Sequence, residues 1–226
     1  MKKDPPSLWE SDYSQAYDDA NYGRNMTGFV MNKSHQLIEK DFGNSTYFSK
    51  IIEVGAGSGA HLPFVKHAYD EYLMTDSSVE MLNLAKKKHQ SNGRVKFSVS
   101  GAEKLECANN TFDRLIASHV LEHLKEPHEV LKEWNRVVKP GGIISIILPC
   151  DPGMLWRLGR NFGPRRNAES AGIPYDYIMA REHVNSITNL RALINYYFDQ
   201  LNEKWWPTPI SFTDINLIYC VNIVKT

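Results

Sequence analysis

Apolar residues come in short blocks along this chain, separated by glycine, asparagine and proline, with amphipathic stretches between the blocks. Ile51-Ile52-Glu53-Val54 reads as a short buried strand, and Glu71-Tyr72-Leu73-Met74-Thr75-Asp76 as a second that ends on an acid. Residues 95–99 and 112–117 give a third and a fourth, and the nearly continuous apolar run 143–148 a fifth. Such runs belong to parallel strands covered on both faces. Between them, residues 79–90 and 126–138 carry helical periodicity, the latter stopped by Lys139-Pro140-Gly141-Gly142. Strands alternating with helices predict an α/β fold with a doubly wound, mostly parallel sheet.

The flanks carry different patterns. Trp9, Tyr13, Tyr17 and Tyr22 recur at spacings of four to five, which places aromatics near one face of a helix. That helix either docks on the sheet or acts as a lid over a ligand. Residues 28–42 predict a second helix with Phe29, Leu37, Ile38 and Phe42 facing inward. After the fifth strand, residues 149–187 break the alternation with four prolines and four glycines, and read as an irregular insertion with one short helix over 154–160. A helix over 188–197, capped by Ser186 or Thr188, leads to a strand within 198–206. A Pro207-Thr208-Pro209 connector and a last strand over 216–224 complete a hairpin that makes one sheet edge mixed.

Glycine stands at every second position in Gly55-Ala56-Gly57-Ser58-Gly59, directly after the first strand, and residues 61–65 read as the start of a helix. Without Cβ atoms in the way a ligand can approach the main chain, and a helix N-terminus would add free N–H groups. The loop fits both a dinucleotide fingerprint, ending at Ala60, and the Glu-x-Gly-x-Gly-x-Gly pattern of S-adenosylmethionine (SAM) enzymes. Asp76 is placed to accept hydrogen bonds from a ribose diol, or to cap the following helix. The small residues Gly101 and Ala102 let an adenine lie flat. Ser118 to Leu124 follow the fourth strand at the edge where open α/β sheets bind ligands.

Composition narrows the field without deciding it. The chain has 226 residues, 42% of them apolar, and 26 basic side chains balance 26 acidic ones at a pI near 7.1. That fits one domain and argues against a broad nucleic-acid-binding face. The three cysteines form no C-x-x-C pair and read as reduced core filler. With no apolar leader and no apolar run near the roughly 20 residues of a membrane span, a soluble cytoplasmic protein is expected. His119 and His123, four apart, lack a third ligand, so no metal is expected. Arg157, Arg160, Arg165 and Arg166 suit either a phosphate or carboxylate partner or a solvated surface. Within Arg181-Glu182-His183-Val184-Asn185, His183 is a candidate general base beside the aromatic Tyr175.

Five ordered motifs carry a resemblance. Glu53-Val54-Gly55-Ala56-Gly57-Ser58-Gly59, Thr75-Asp76, Gly101-Ala102-Glu103, the stretch 112–124 and Lys139-Pro140-Gly141-Gly142 fall at intervals that resemble a class I SAM-dependent methyltransferase of the type-11 small-molecule group. The likeness is strong over residues 48–148. Leu158-Gly159-Arg160 and the stretch 181–185 also resemble a subset of bacterial members without a well-defined substrate.

The resemblance implies a seven-stranded sheet, N-terminal helices, an insertion after strand five, and one domain over 1–226 with a lid at 1–47 and a substrate-binding insertion at 149–187. It implies SAM as cofactor and a small-molecule methyl acceptor. By position, Gly55, Ala56 and Gly57 approach the methionine part, and Glu53 orients the loop or the amino group. Asp76 binds the ribose, Ser77 and Met81 border the adenosine, and Gly101, Ala102 and Glu103 flank the adenine. Ser118 and His119 close the site near the sulfonium. A base, if the nucleophile carries a proton, is His119 or His183, with Glu182 behind. The substrate side takes Tyr13, Tyr17, Tyr22, Arg157, Arg160, Tyr175, Glu182 and His183.

No Asn/Asp-Pro-Pro-aromatic tetrapeptide follows the fourth strand, which favours a sugar, a nucleotide-linked sugar or a lipid head group, methylated at O or N ahead of C. The competing readings are a catalytically silent SAM fold that binds a partner and an RNA methyltransferase using the arginines.

Overall fold

The structure is a computed structural model and describes residues 22, 23, 25–170 and 174–226. Trp9, Tyr13 and Tyr17, in the first part of the expected N-terminal lid, lie outside the described residues. Seven strands form one sheet: β1 (Tyr47–Val54), β2 (Ala68–Asp76), β3 (Val95–Val99), β4 (Phe112–Ser118), β5 (Val138–Pro149), β6 (Leu201–Trp206) and β7 (Ile218–Val224). Their order across the sheet is β3-β2-β1-β4-β5-β7-β6. The first five pair in parallel, and β7 runs antiparallel to both β5 and β6. This is the expected doubly wound sheet with a mixed edge.

The register explains where a ligand must go. Val54 faces Thr75 on one side and Ala117 on the other, Asp76 faces Val99, and Ser118 faces Ile147. Every segment that leaves these carboxyl ends therefore emerges along one edge. The apolar runs themselves are buried on both sides: Ile51, Ile52, Leu115, Ile116 and Ile146 are fully covered. Helices α2 (Val79–His89), α3 (Pro127–Val137) and α7 (Ile187–Tyr197) supply part of that cover. Ser78 caps α2 and Ser186 caps α7, each hydroxyl accepting from the N–H three residues on. Cys150 and Cys220 are buried free thiols. Burial pushes the Cys150 thiol up to about 12, as expected of inert core residues.

Three expectations are corrected. First, no helix follows the glycine loop. Only a single 3-10 turn, Leu62–Phe64, stands there, with Pro63 inside it, before β2 begins at Ala68. The crossover is too short to hold a full helix, and a helix dipole plays no part in this site. Second, α1 (Met26–Glu39) buries Ile38 and packs Leu37 on the core as expected, but it also turns Ser34, His35 and Glu39 inward, while Phe29 is half exposed. Third, the insertion is mostly helical, with α4 (Met154–Phe162), α5 (Pro164–Ser170) and α6 (Tyr175–Glu182). Two of its four prolines start helices instead of breaking them: Pro164 is the first residue of α5 and Pro174 immediately precedes α6. Among the described residues, no helix is long and apolar enough to cross a membrane.

The space beside the glycine loop is filled by a buried polar cluster. Arg114, on β4, is fully buried. Its Nη2 lies 2.7 Å from Glu39 Oε1, its Nε donates to Ser145 Oγ at 3.0 Å, and its Nη1 lies 2.8 Å from His67 Nε2. Its guanidinium sits 4.1 Å from the centre of the Phe42 ring. Burial would raise the Glu39 carboxyl, but Arg114 and His61 outweigh it and hold it at about 2. A charge buried in the sheet needs such partners, and α1 supplies the carboxylate among them, Glu39.

Candidate active site

The loop that leaves β1 is held open by its neighbours. Gly55, Gly57 and Gly59 all have positive φ, at 66°, 54° and 74°. A Cβ on Gly55 would meet Val120 Cγ2 at 2.5 Å, and one on Gly57 would approach Met81 Cε at 3.3 Å. The loop is also pinned from below: Lys88 Nζ donates to Ser58 Oγ at 2.9 Å, and His89 Nε2 lies 2.9 Å from the Gly59 carbonyl.

Asp76 at the end of β2 ties two segments together. Its Oδ2 accepts from the Gly57 N–H at 2.9 Å and its Oδ1 from the Ser78 N–H at 2.8 Å. Burial raises its pKa against these bonds. Each oxygen keeps lone-pair capacity for a further donor. Glu53 is buried below the loop, where its Oε2 accepts from Tyr72 OH at 2.8 Å; burial raises its pKa. That position supports the loop from beneath. Met81, Ala56 and Ala102 are buried, whereas Ser77 and Glu103 are exposed. Gly101 is half-buried, and a Cβ there would come within 3.1 Å of the Glu103 carboxylate.

The turn after β4 holds the reactive chemistry. His119 has a φ of 57°, the left-handed region that non-glycine residues avoid. Its Nδ1 is 3.4 Å from Glu122 Oε1. Its Nε2 is buried and has no hydrogen-bond partner, and neither has the Ser118 hydroxyl. Backbone strain and orphaned polar atoms at the carboxyl end of a central strand are the marks of a working site. Glu122 is 1% exposed. Burial would raise its carboxyl, but His119, His123 and His183 together hold it below the usual value. Burial lowers the His123 pKa.

The segment 181–185 docks on that turn. Val184 and Asn185 N–H both donate to the Glu122 carbonyl, at 2.9 and 3.2 Å, and Asn185 Nδ2 donates to the Leu121 carbonyl at 3.0 Å. His183 is thereby brought to the His123 ring, 4.9 Å between centroids, with its Nδ1 3.1 Å from Asp151 Oδ2. Trp156 lies 5.9 Å from the His183 ring, and the Arg160 guanidinium stands 5.1 Å from Trp156 and 6.0 Å from Tyr175. Arg160 Nε is buried without a partner.

The structure therefore gathers His119, Glu122, His123, His183, Trp156, Arg160 and Tyr175. Arg157 is exposed, and Glu182 is turned to Arg181, whose Nε donates to Glu182 Oε1 at 2.7 Å. Tyr22 stacks on His35, 5.9 Å away, and His35 on Phe64 at 5.2 Å, beside the glycine loop. Glu122, Trp156 and Asp151 were not visible as site residues in the sequence, and only an acid three residues after His119 hinted at the first. Among the described residues, no group of three or more His, Cys, Asp or Glu is arranged to hold a metal ion.

Known proteins resemble parts of this chain. Residues 52–146 match the family model of a methyltransferase domain. The chain is 34% identical over 105 residues to the chloroplastic 2-methyl-6-phytyl-1,4-hydroquinone methyltransferase 1 of Oryza sativa subsp. japonica, covering 46% of this chain and 32% of that one. It is 25% identical over 171 residues to a demethylmenaquinone methyltransferase of Renibacterium salmoninarum, covering 74% and 68%. The chain thus spans between about a third and about two thirds of the length of these curated relatives. Among solved structures, the Haemonchus contortus phosphoethanolamine N-methyltransferase 2 in complex with SAM superposes with a TM-score of 0.67 at 17% identity, covering 96% of this chain and 59% of that one. That last likeness speaks for the fold.

Proposed function

We propose that this chain, whose residues 52–146 match a methyltransferase domain, is a class I SAM-dependent methyltransferase that methylates a small organic acceptor at an atom that gives up a proton. The residues present fit SAM. A loop whose Cβ positions would be filled admits the methionine part at Gly55 and Gly57. The Asp76 carboxylate, anchored on Gly57 and Ser78, takes the ribose diol, with Met81 and Ala102 as apolar walls. When bound, SAM supplies a methyl group on a sulfonium, an electrophile with a good leaving group. The protein then needs to align the acceptor and exclude water.

The single observation that carries the reading is His119. With Nδ1 3.4 Å from the Glu122 carboxylate, the tautomer that carries its proton there has Nε2 as the bare acceptor, and Nε2 is the atom with no partner. His119 Nε2 takes the proton that the acceptor loses, and Glu122 fixes the ring. A silent, partner-binding fold would have no need of an oriented imidazole. Trp156, Tyr175 and Arg160 form the wall that a flat or anionic acceptor would lie against. The insertion at 149–187 is thus the substrate side. The rice relative is named for a phytyl-substituted hydroquinone, a flat ring with acidic hydroxyls that this wall suits.

The test is calorimetric titration with S-adenosylhomocysteine, with NAD as the comparison ligand, followed by transfer of labelled methyl groups from SAM to hydroquinones, phenols and amino-alcohol head groups. The reading expects S-adenosylhomocysteine to bind, and transfer to at least one class to fall with His119→Ala. Binding of neither ligand would overturn it.

A further inference from the structure

Helix α4 wears its apolar side outward. Met154, Leu158 and Phe162 follow at i, i+4 and i+8 on one face and are 52%, 48% and 70% exposed. The helix buries no residue. Its other side carries Trp156 and Arg160, which meet His183 and Tyr175. Single exposed apolar residues are ordinary, but a continuous ridge is not. The ridge is extended at both ends. Met154 N–H donates to Asp214 Oδ1 at 2.9 Å, next to the half-exposed Phe212. At the far end a Cβ on Gly163 would stand 3.9 Å from Thr27 Oγ1, beside Met26, which is 73% exposed.

Charge identifies what covers this face. Residues 152–168 contain four arginines and no Asp or Glu. Arg160 is turned into the site and Arg165 pairs with Glu169 and Asp176. Arg157 and Arg166 are exposed, and the Arg166 guanidinium lies 5.7 Å from the Phe162 ring. An apolar ridge with basic residues along its flank, on a helix too short to span, is the pattern of an element lying in the headgroup region of an anionic bilayer. We infer that α4 docks this protein on an anionic lipid surface, with Met154, Leu158 and Phe162 inserted and Arg157 and Arg166 against the headgroups. The inference goes beyond the methyl-transfer reading and does not depend on it. If both hold, an amphiphilic acceptor reaches Trp156 and Arg160 from the membrane side of the same helix.

The test is flotation of the full chain with phosphatidylcholine vesicles, with and without phosphatidylglycerol, at low and high salt. The wild type should float with the anionic vesicles about tenfold more than with neutral ones, and salt should weaken it. The Leu158→Glu/Phe162→Glu double variant should lose about tenfold of that binding. Arg166→Glu should lose part of it. Affinity for S-adenosylhomocysteine is read on the same samples, so a failed cofactor site and a failed lipid contact give separate results. No flotation of the wild type, or equal flotation of the double variant, would overturn the inference. So would a wild-type dimer that the double variant turns into a monomer without any flotation, since the face would then belong to a second copy.

Discussion

The Nδ1 atoms of His35 and His61 face each other at 2.9 Å, so one ring must donate where the other accepts. His61 Nε2 is 2.9 Å from Glu39 Oε1. Donation there leaves its Nδ1 bare, and His35 must donate to it. His35 Nε2 is buried without a partner, so a second proton on that ring would have nothing to bond. The pair also ties α1 to the residue that follows the glycine loop.

A fall in pH should therefore loosen the fold. His35 is held well below its ordinary value of 6.5 by burial first, then by His61 and His119. Burial also lowers His67 and His123. Groups depressed in the folded state contribute stability that is complete above 6.5 and is lost as pH falls toward their folded values. Thermal melts between about pH 7.5 and about pH 5 should show the midpoint dropping with acid. His35→Phe, which stacks but cannot titrate, should flatten that slope. An unchanged slope would contradict the assignment.

Arg114→Ala should destabilise the protein by about 3–5 kcal/mol, because it leaves Glu39 buried without its main counter-charge. Arg114→Met with Glu39→Gln should restore much of that loss. Urea unfolding of the three proteins measures it.

Asp76→Ala removes an acceptor from two loop N–H groups and from the ribose together. S-adenosylhomocysteine affinity should fall by about tenfold or more, given roughly 1.5–3 kcal/mol for a hydrogen bond to a charged group. Gly55→Ala adds a Cβ against Val120 at a positive φ and should weaken binding by a comparable amount. Calorimetry on both variants decides.

His119→Ala should lower kcat by about 10²–10⁴ with little change in cofactor affinity. Glu122→Gln keeps the shape and removes the charge that fixes the ring, so its loss in kcat should be smaller. Single-turnover methyl transfer separates the two from effects on binding.

Much of the sheet was legible because strands covered on both faces must be nearly continuous in apolar residues, as Ile143 to Leu148 are. The hairpin of β6 and β7 was announced by the Pro207-Thr208-Pro209 connector. Asp76 and the glycines were legible because their chemistry leaves few alternatives. The inward face of α1 was legible only in part, at Leu37 and Ile38. Periodicity assigns an apolar residue such as Phe29 to the core, while Ser34, His35 and Glu39 win that face only because Arg114 and His61 are waiting there. Arg114 itself, a charge inside an apolar strand, was the overlooked sign that something polar had to cover it. The helix expected after Gly59 failed because Pro63 and the nearness of β2 leave room for one turn. In the insertion, proline density suggested disorder of form, yet Pro164 and Pro174 stand where a helix begins.

The Arg114 cluster separates two kinds of unit. Inheritance is recognisable over residues 52–146, but Glu39 lies before that segment, and so does His35. Asn222, which meets Ser145 Oγ at 2.7 Å, lies after it. Cut to residues 52–146, the domain would keep His67 and Ser145 beside the Arg114 guanidinium but lose Glu39, its carboxylate partner. The segment that matches the family and the unit that balances the buried charge are therefore not the same stretch of chain: Glu39 from one side and Asn222 from the other complete the polar centre of the sheet.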